Sequence, residues 1–204
     1  MSKIIFLNGA FSAGKTSLGK SIQHLSGEPW LLSGIDHFVD MMPDKYTDFG
    51  EKASEGFSFT PSQNEHGPTM MVKSGPFGKT LFSLLPSFIC MLADAGLHMI
   101  IDEVLLEDDP ADKETLLQHY AHALKDHTLY LVQVVCPLNI MQEREILRGN
   151  RSIGLANHSA SCAPKSIEYD ITVDTSHSSS FALAETILDF IRQTPHPQAF
   201  SKLR

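Results

Sequence analysis

Apolar residues fall into two kinds of pattern along this chain. Short continuous runs rich in β-branched residues occur at Ile4 to Asn8, Trp30 to Gly34, Leu97 to Asp102, Leu129 to Cys136 and Ile171 to Asp174. They do not alternate with polar residues as a half-exposed strand does, so they predict strands buried on both faces, as in a parallel sheet covered by helices. Between them lie segments of helical spacing at Lys15 to Leu25, Thr80 to Ala95, Ala111 to Lys125, Leu138 to Arg148 and Phe181 to Gln193. Strand and helix in alternation predict an α/β fold, a five-stranded parallel sheet flanked by helices with right-handed crossovers. At 204 residues and 42% hydrophobic, residues 1–204 read as one domain with a sizeable core.

Two stretches lack this regularity. Between Pro43 and Lys79, glycines and prolines are interleaved with Phe49, Phe57, Phe59, Met70, Met71 and Phe77. The expectation is a long loop (43–79) that either forms a lid or binding loop or is an insertion without a role. Residues 149–168 follow a helix that ends in arginines, and they are expected to form a lid. The greasiest window, Leu81 to Ile101, is interrupted by Pro86, Asp94, Gly96 and His98 and reads as a core helix followed by a buried strand, not a membrane span.

Charge narrows the function classes. A formal charge of -8 without a basic run argues against nucleic acid and anionic membranes as partners. Cys90, Cys136 and Cys162 are widely spaced and without metal-site spacing, which suits reduced thiols. Strand-like sequence starts within a few residues of Met1, leaving no signal peptide, and the expected location is the cytoplasm.

The strongest local signal follows the first apolar run. Gly9 Ala10 Phe11 Ser12 Ala13 Gly14 Lys15 Thr16 fits GxxxxGK[ST], with a strand before it and a helix after it. A triphosphate needs several backbone N–H groups aimed at one point, and glycines allow a loop to wrap that closely. The helix beginning at Lys15 would turn its positive end toward the phosphates, Lys15 would reach the β and γ oxygens, and the Thr16 hydroxyl would serve Mg²⁺. ATP and Mg²⁺ are therefore the expected cofactors, in a P-loop nucleoside-triphosphate-binding fold.

In parallel sheets, ligands collect beyond the carboxyl ends of strands, and the other candidates lie there. Asp36 follows the second apolar run and reads either as a base for an acceptor hydroxyl or as a helix cap. Asp40 would share its face if a helix starts there, and His37 is read as a neighbour. Asp102 and Glu103 end the third run, where P-loop proteins keep the carboxylate that serves Mg²⁺; spacing does not say which of them faces the metal, and capping the next segment is the alternative. Arg148 and Arg151, three apart around Gly149, could converge on one phosphate. His119, His122 and His127 read as a solvated face.

These blocks, in order, resemble the chloramphenicol phosphotransferase family. The match is carried by Leu7 to Thr16, Glu28 Pro29 Trp30, Gly34 Ile35 Asp36, Met42 Pro43, Ile100 to Val104, Arg144 Glu145 with Arg148 to Arg151, and Glu168 Tyr169 Asp170 with Val173 to Ser176. The resemblance implies a small kinase, related in fold to shikimate and adenylate kinases, that passes the ATP γ-phosphate to a hydroxyl of an antibiotic-like molecule. It also implies Asp36 as the base on that hydroxyl, Lys15 and Thr16 at phosphate and Mg²⁺, and Arg148 with Arg151 in the lid. Ala163 to Ile167 depart from the family's pattern just before the Tyr-Asp block. Two alternatives remain on sequence grounds: a kinase of another small metabolite, and a nucleotide-binding switch that phosphorylates nothing.

Overall fold

The computed structural model describes residues 1–105, 110–149, 152–161 and 167–203, with side chains described outside 110–115. Its main sheet is built from β1 (Lys3–Asn8), β2 (Trp30–Gly34), β6 (His98–Glu103), β7 (Thr128–Val135) and β8 (Ile171–Asp174). The strands are all parallel, in the order β2-β6-β1-β7-β8.

The continuous apolar runs have a direct cause. Successive side chains of a strand point to opposite faces, and here both faces are covered. Ile5, Leu7, Ile100, Tyr130, Val132 and Val134 belong to one core, on the side of α1 (Lys15–Leu25) and α8 (Ser180–Gln193). Their neighbours Ile4, Phe6, Met99, Ile101, Leu129 and Leu131 belong to a second core on the opposite face. Leu85 and Ile89 of α4 (Leu85–Asp94) and Leu117 and Tyr120 of α5 (Pro110–Ala123) cover that second face.

The apolar helix expected over Thr80 to Ala95 is two helices, α3 (Pro76–Ser83) and α4. Pro86, in the first turn of α4, has no N–H to continue the ladder, and the chain restarts around Leu84. Leu85, Ile89 and Ala93 seat α4 in the core.

Residues 43–79 are not the structureless loop expected. After α2 (Ile35–Val39) and a short 3₁₀ turn, they form β3 (Thr47–Asp48), β4 (Phe57–Asn64) and β5 (Gly67–Ser74), a separate three-stranded sheet ordered β3-β4-β5. β4 and β5 are an antiparallel hairpin in which Phe57 faces Ser74 and Asn64 faces Gly67. Phe57 packs edge-on against Phe59 and Phe82, which ties the small sheet to α3.

The stretch 149–168 also contains structure. After α6 (Leu138–Arg148) comes α7 (Leu155–Ser161), whose first five residues are buried. Glu145 of α6 holds its start, accepting from the N–H of Gly154 at 2.8 Å and of Ala156 at 3.0 Å. Asn157 donates to the carbonyls of His66 and Pro68, so α7 is docked on the hairpin. The remainder of the expected lid, including Arg151, lies outside the described residues, as do Cys162 and the departure at Ala163 to Ser166.

One reading of the histidines is corrected. His119 and His122 are exposed, but the His127 side chain is only 7% exposed and its Nε2 lies 3.0 Å from Asp94 Oδ1. His127 closes the turn that precedes β7, and the pair fastens the end of α4 there. Cys90 joins them within 4.8 Å, a meeting that sequence spacing did not reveal. Cys90 and Cys136 are free and half-buried.

Candidate functional site

The loop from Gly9 to Gly14 leaves the end of β1, the middle strand, and enters α1. It turns through two left-handed residues, Ser12 at φ 62° and Gly14 at φ 97°, the latter where a side chain would be strained. The Lys15 side chain is 7% exposed. Its Nζ donates to the carbonyls of Gly9 and Ala10 at 2.9 and 3.0 Å and stands 3.7 Å from Asp102 Oδ1. Thr16 donates its hydroxyl to Asp102 Oδ2 at 2.6 Å. One ammonium, one hydroxyl and one carboxylate are thus gathered at the start of α1.

The strand's alternation sends Asp102 and Glu103 to opposite faces of the sheet. Asp102 shares the α1 side with Ile100 and lines the cavity in front of the loop. Glu103 points the other way and is 3% exposed, accepting from the Tyr120 hydroxyl at 3.4 Å. Burial, reinforced by the charge of Asp102, pushes its carboxyl up to about 8. Burial likewise pushes the Tyr120 hydroxyl well above its ordinary range.

Asp36 lies in the first turn of α2, and the N-cap position is Gly34, so the capping alternative for Asp36 does not hold. Gly34 is required by a close approach: a Cβ there would stand 2.1 Å from the carbonyl oxygen of Asp102. That contact draws the ends of β2 and β6 together. Asp36 is exposed, and Asp40 follows one turn later, also exposed.

The loop fronts a cavity of about 460 Å³ lined by Lys15, Thr16, Asp36, Asp102, Arg144 and Arg148, among others. A second cavity, of about 790 Å³, lies between α2, the small sheet and the segment leading into α7. Phe11 and Asp36 line both. Asp36 therefore stands at the boundary of two chambers, one bordered by cations and one by aromatic rings and carboxylates.

Arg144 is a residue that the sequence reading quoted but left out of the site. From α6 it donates to the Thr175 hydroxyl at 2.9 Å, to the Thr175 carbonyl at 2.6 Å and to the Ala13 carbonyl at 3.4 Å. Thr175 in turn donates to the Ala13 carbonyl at 2.7 Å. Arg144 precedes Arg148 by four residues, a helical spacing that puts both on one face, and this was the available signal. The Tyr-Asp block is largely structural. Tyr169 accepts from Asn8 at 2.6 Å, and Asp170 accepts from the backbone of Leu131, Gln198 and Ala199.

The donor set suits a magnesium nucleotide. Hydroxyl and carboxylate oxygens are the hard ligands Mg²⁺ prefers, and lysine, arginine and helix-start amides are the groups that hold phosphates.

A parallel sheet of this order with a phosphate-binding loop after its middle strand is the fold of the P-loop kinases. The chain matches the chloramphenicol phosphotransferase-like protein family over residues 2–192 and belongs to it. A Mycobacterium tuberculosis protein, recorded for two strains and named as a provisional O-phosphotransferase, is 29% identical over 203 residues, covering 99% of this chain and 88% of its own. The structure is similar to the APS kinase of Mycobacterium tuberculosis solved with AMPPNP and APS, at a TM-score of 0.61 and 14% identity, covering 94% of this chain and 98% of that one. Shikimate kinase from Acinetobacter baumannii, solved with shikimate, gives 0.51 at 15% identity over 95% and 94% of the two chains.

Proposed function

We propose that the protein is a Mg²⁺- and ATP-dependent kinase that transfers the γ-phosphoryl group to a hydroxyl of a small organic molecule, chloramphenicol or a compound like it. The observation that carries the reading is Asp36, the carboxylate shared by the phosphate-loop cavity and the second cavity. A base for this reaction has to touch the acceptor on one side and face the transferred group on the other.

In this reading the acceptor oxygen attacks the γ-phosphorus, the bond from that phosphorus to the β–γ bridging oxygen breaks, and ADP leaves. Asp36 accepts the hydroxyl proton as the new P–O bond forms. Lys15 exchanges its loop carbonyls for phosphate oxygens, and Arg148 at the cavity edge adds positive charge where negative charge gathers. Mg²⁺, held through Thr16 and Asp102, would supply neutralisation of the β and γ oxygens. Arg144 fixes the loop through Ala13 and Thr175, and its guanidinium borders the same cavity. Arg151, proposed for the lid from the sequence, lies outside the described residues.

Incubation with MgATP, chloramphenicol and a panel of hydroxylated compounds, followed by mass spectrometry, tests the reading. The expected product is heavier by one phosphoryl group, and Asp36→Asn is expected to form it roughly 10²-fold more slowly while still binding ATP. Equal rates in wild type and variant would remove Asp36 from the chemistry. Tight nucleotide binding with no phosphorylated product from any compound would favour the switch reading instead.

A further inference from the structure

Building on that kinase reading, we propose that the acceptor is a cation: a hydroxylated amine whose ammonium group sits among Asp40, Asp44 and Asp48 while its apolar body packs on Phe49, Phe57 and Phe59. The second cavity, about 790 Å³, is large enough for a drug-sized molecule, and these six residues contribute to its lining. Asp36, the proposed base, brings a fourth carboxylate at the boundary with the phosphate-loop cavity. No lysine, arginine or histidine lines it among the described residues. The two lysines of the same segment are directed elsewhere: Lys45 and Lys52 stand 5.6 and 5.7 Å from the centre of the Tyr46 ring, and neither borders the cavity.

The aromatic residues give an independent indication. Phe49 is 65% exposed at the cavity and its ring lies tilted to that of Phe59, 6.2 Å away, while Phe57 and Phe59 pack edge to face at 5.5 Å. An open aromatic face beside carboxylates is the pairing that holds an alkylammonium group, through ring quadrupole and ion pair together. A carboxylate or phosphate on the acceptor would meet like charge at each of the charged residues described in this lining. Asp40, Asp44 and Asp48 recur every four residues through the turn from α2 into β3, so the charge belongs to the mouth and leaves the reacting hydroxyl to Asp36.

The test uses one scaffold in three charge states: chloramphenicol, its deacylated primary amine, and the same amine capped with succinate. All three are assayed with MgATP near pH 6.5, where a primary amine is protonated. A panel of other hydroxylated amines and matched neutral alcohols is run beside them. The amine is expected to exceed the neutral amide in kcat/KM by tenfold or more, with the succinylated compound lowest. That preference is expected to shrink as salt is raised, because attraction at an open mouth is screened. It is also expected to fall at least tenfold in the Asp44→Asn, Asp48→Asn double variant, with thermal melting confirming that the variant is folded. Phosphorylated product from neutral compounds at rates equal to or above those of the amines would overturn the cationic acceptor and leave the kinase intact. A preference that survives both high salt and the double variant would overturn the role of these carboxylates. No phosphorylated product and no ADP from any compound would overturn the kinase reading and this proposal together.

Discussion

Glu103 and Asp102 are adjacent carboxylates in opposite situations. Asp102 faces the cavity and accepts from Thr16, whereas Glu103 is buried against Tyr120 with a carboxyl pushed up to about 8 from an ordinary 4.5. Glu103 is therefore protonated in the native protein at neutral pH, while the unfolded chain ionises it from about 4.5 upward. Between those values the native state binds more protons than the unfolded state, so this residue's contribution to stability falls as pH rises and reaches its full cost above about 8. Glu103→Gln keeps a neutral group of the same shape. In urea unfolding at several pH values, the variant's stability relative to wild type is expected to grow by roughly 3–4 kcal/mol between about pH 5 and about pH 8. A difference that stays flat would mean the buried carboxyl is ionised in the native state. In the sequence the two acids were equivalent because both end the same apolar run; the parity of the strand separates them, with Asp102 on the side of Ile100 and Glu103 on the side of Ile101.

Among the elements, α6 joins the most parts of the site. Arg144 reaches back to the Gly9–Thr16 loop and the end of β8, Glu145 holds the start of α7, and Arg148 borders the cavity in front of that loop. Arg144 places its donors on four acceptors at once, Cys136 Sγ among them, a geometry that suits a planar fork and not a single ammonium. Both Arg144→Met and Arg144→Lys are expected to weaken MgATP binding roughly tenfold in calorimetry. Unchanged affinity in both would make Arg144 a tether between helix and loop with no part in holding the nucleotide. The central strands β1, β6 and β7 were legible because their runs are apolar on both faces, and the helices because they begin or end at glycine, proline or serine. The hairpin was not, because β4 alternates, Phe57 Ser58 Phe59 Thr60, and then meets Pro61. That proline is accommodated beyond the two residues that pair with β3, where β4 has an open edge. Glycine and proline in 43–79 punctuate a small sheet that is visible only through its long-range partners, Phe82 and the residues of α7.

At the scale of the whole molecule, two cores back one sheet and leave its carboxyl edge as the meeting place of β1, β2, β6 and β8. The net charge of -8 would repel a nucleotide at a distance, so the proposed binding would depend on the local cluster of Lys15, Arg144 and Arg148 at the end of that sheet. A ligand that binds only the folded chain stabilises all of it, by about 2.7 kcal/mol at a hundredfold excess over its dissociation constant. For a domain of this size that corresponds to a rise in melting temperature of roughly 5–10 °C. MgATP is expected to produce such a rise, EDTA to reduce it by withdrawing the metal, and Lys15→Ala to remove most of it while its own melting remains a single cooperative transition. Because the Lys15 side chain is buried against the Gly9 and Ala10 carbonyls, the alanine variant also tests the loop itself. A variant that melts normally yet gains nothing from MgATP locates the nucleotide at this loop; one that gains as much as wild type moves the nucleotide elsewhere, and with it the assignment of Thr16 and Asp102 to Mg²⁺.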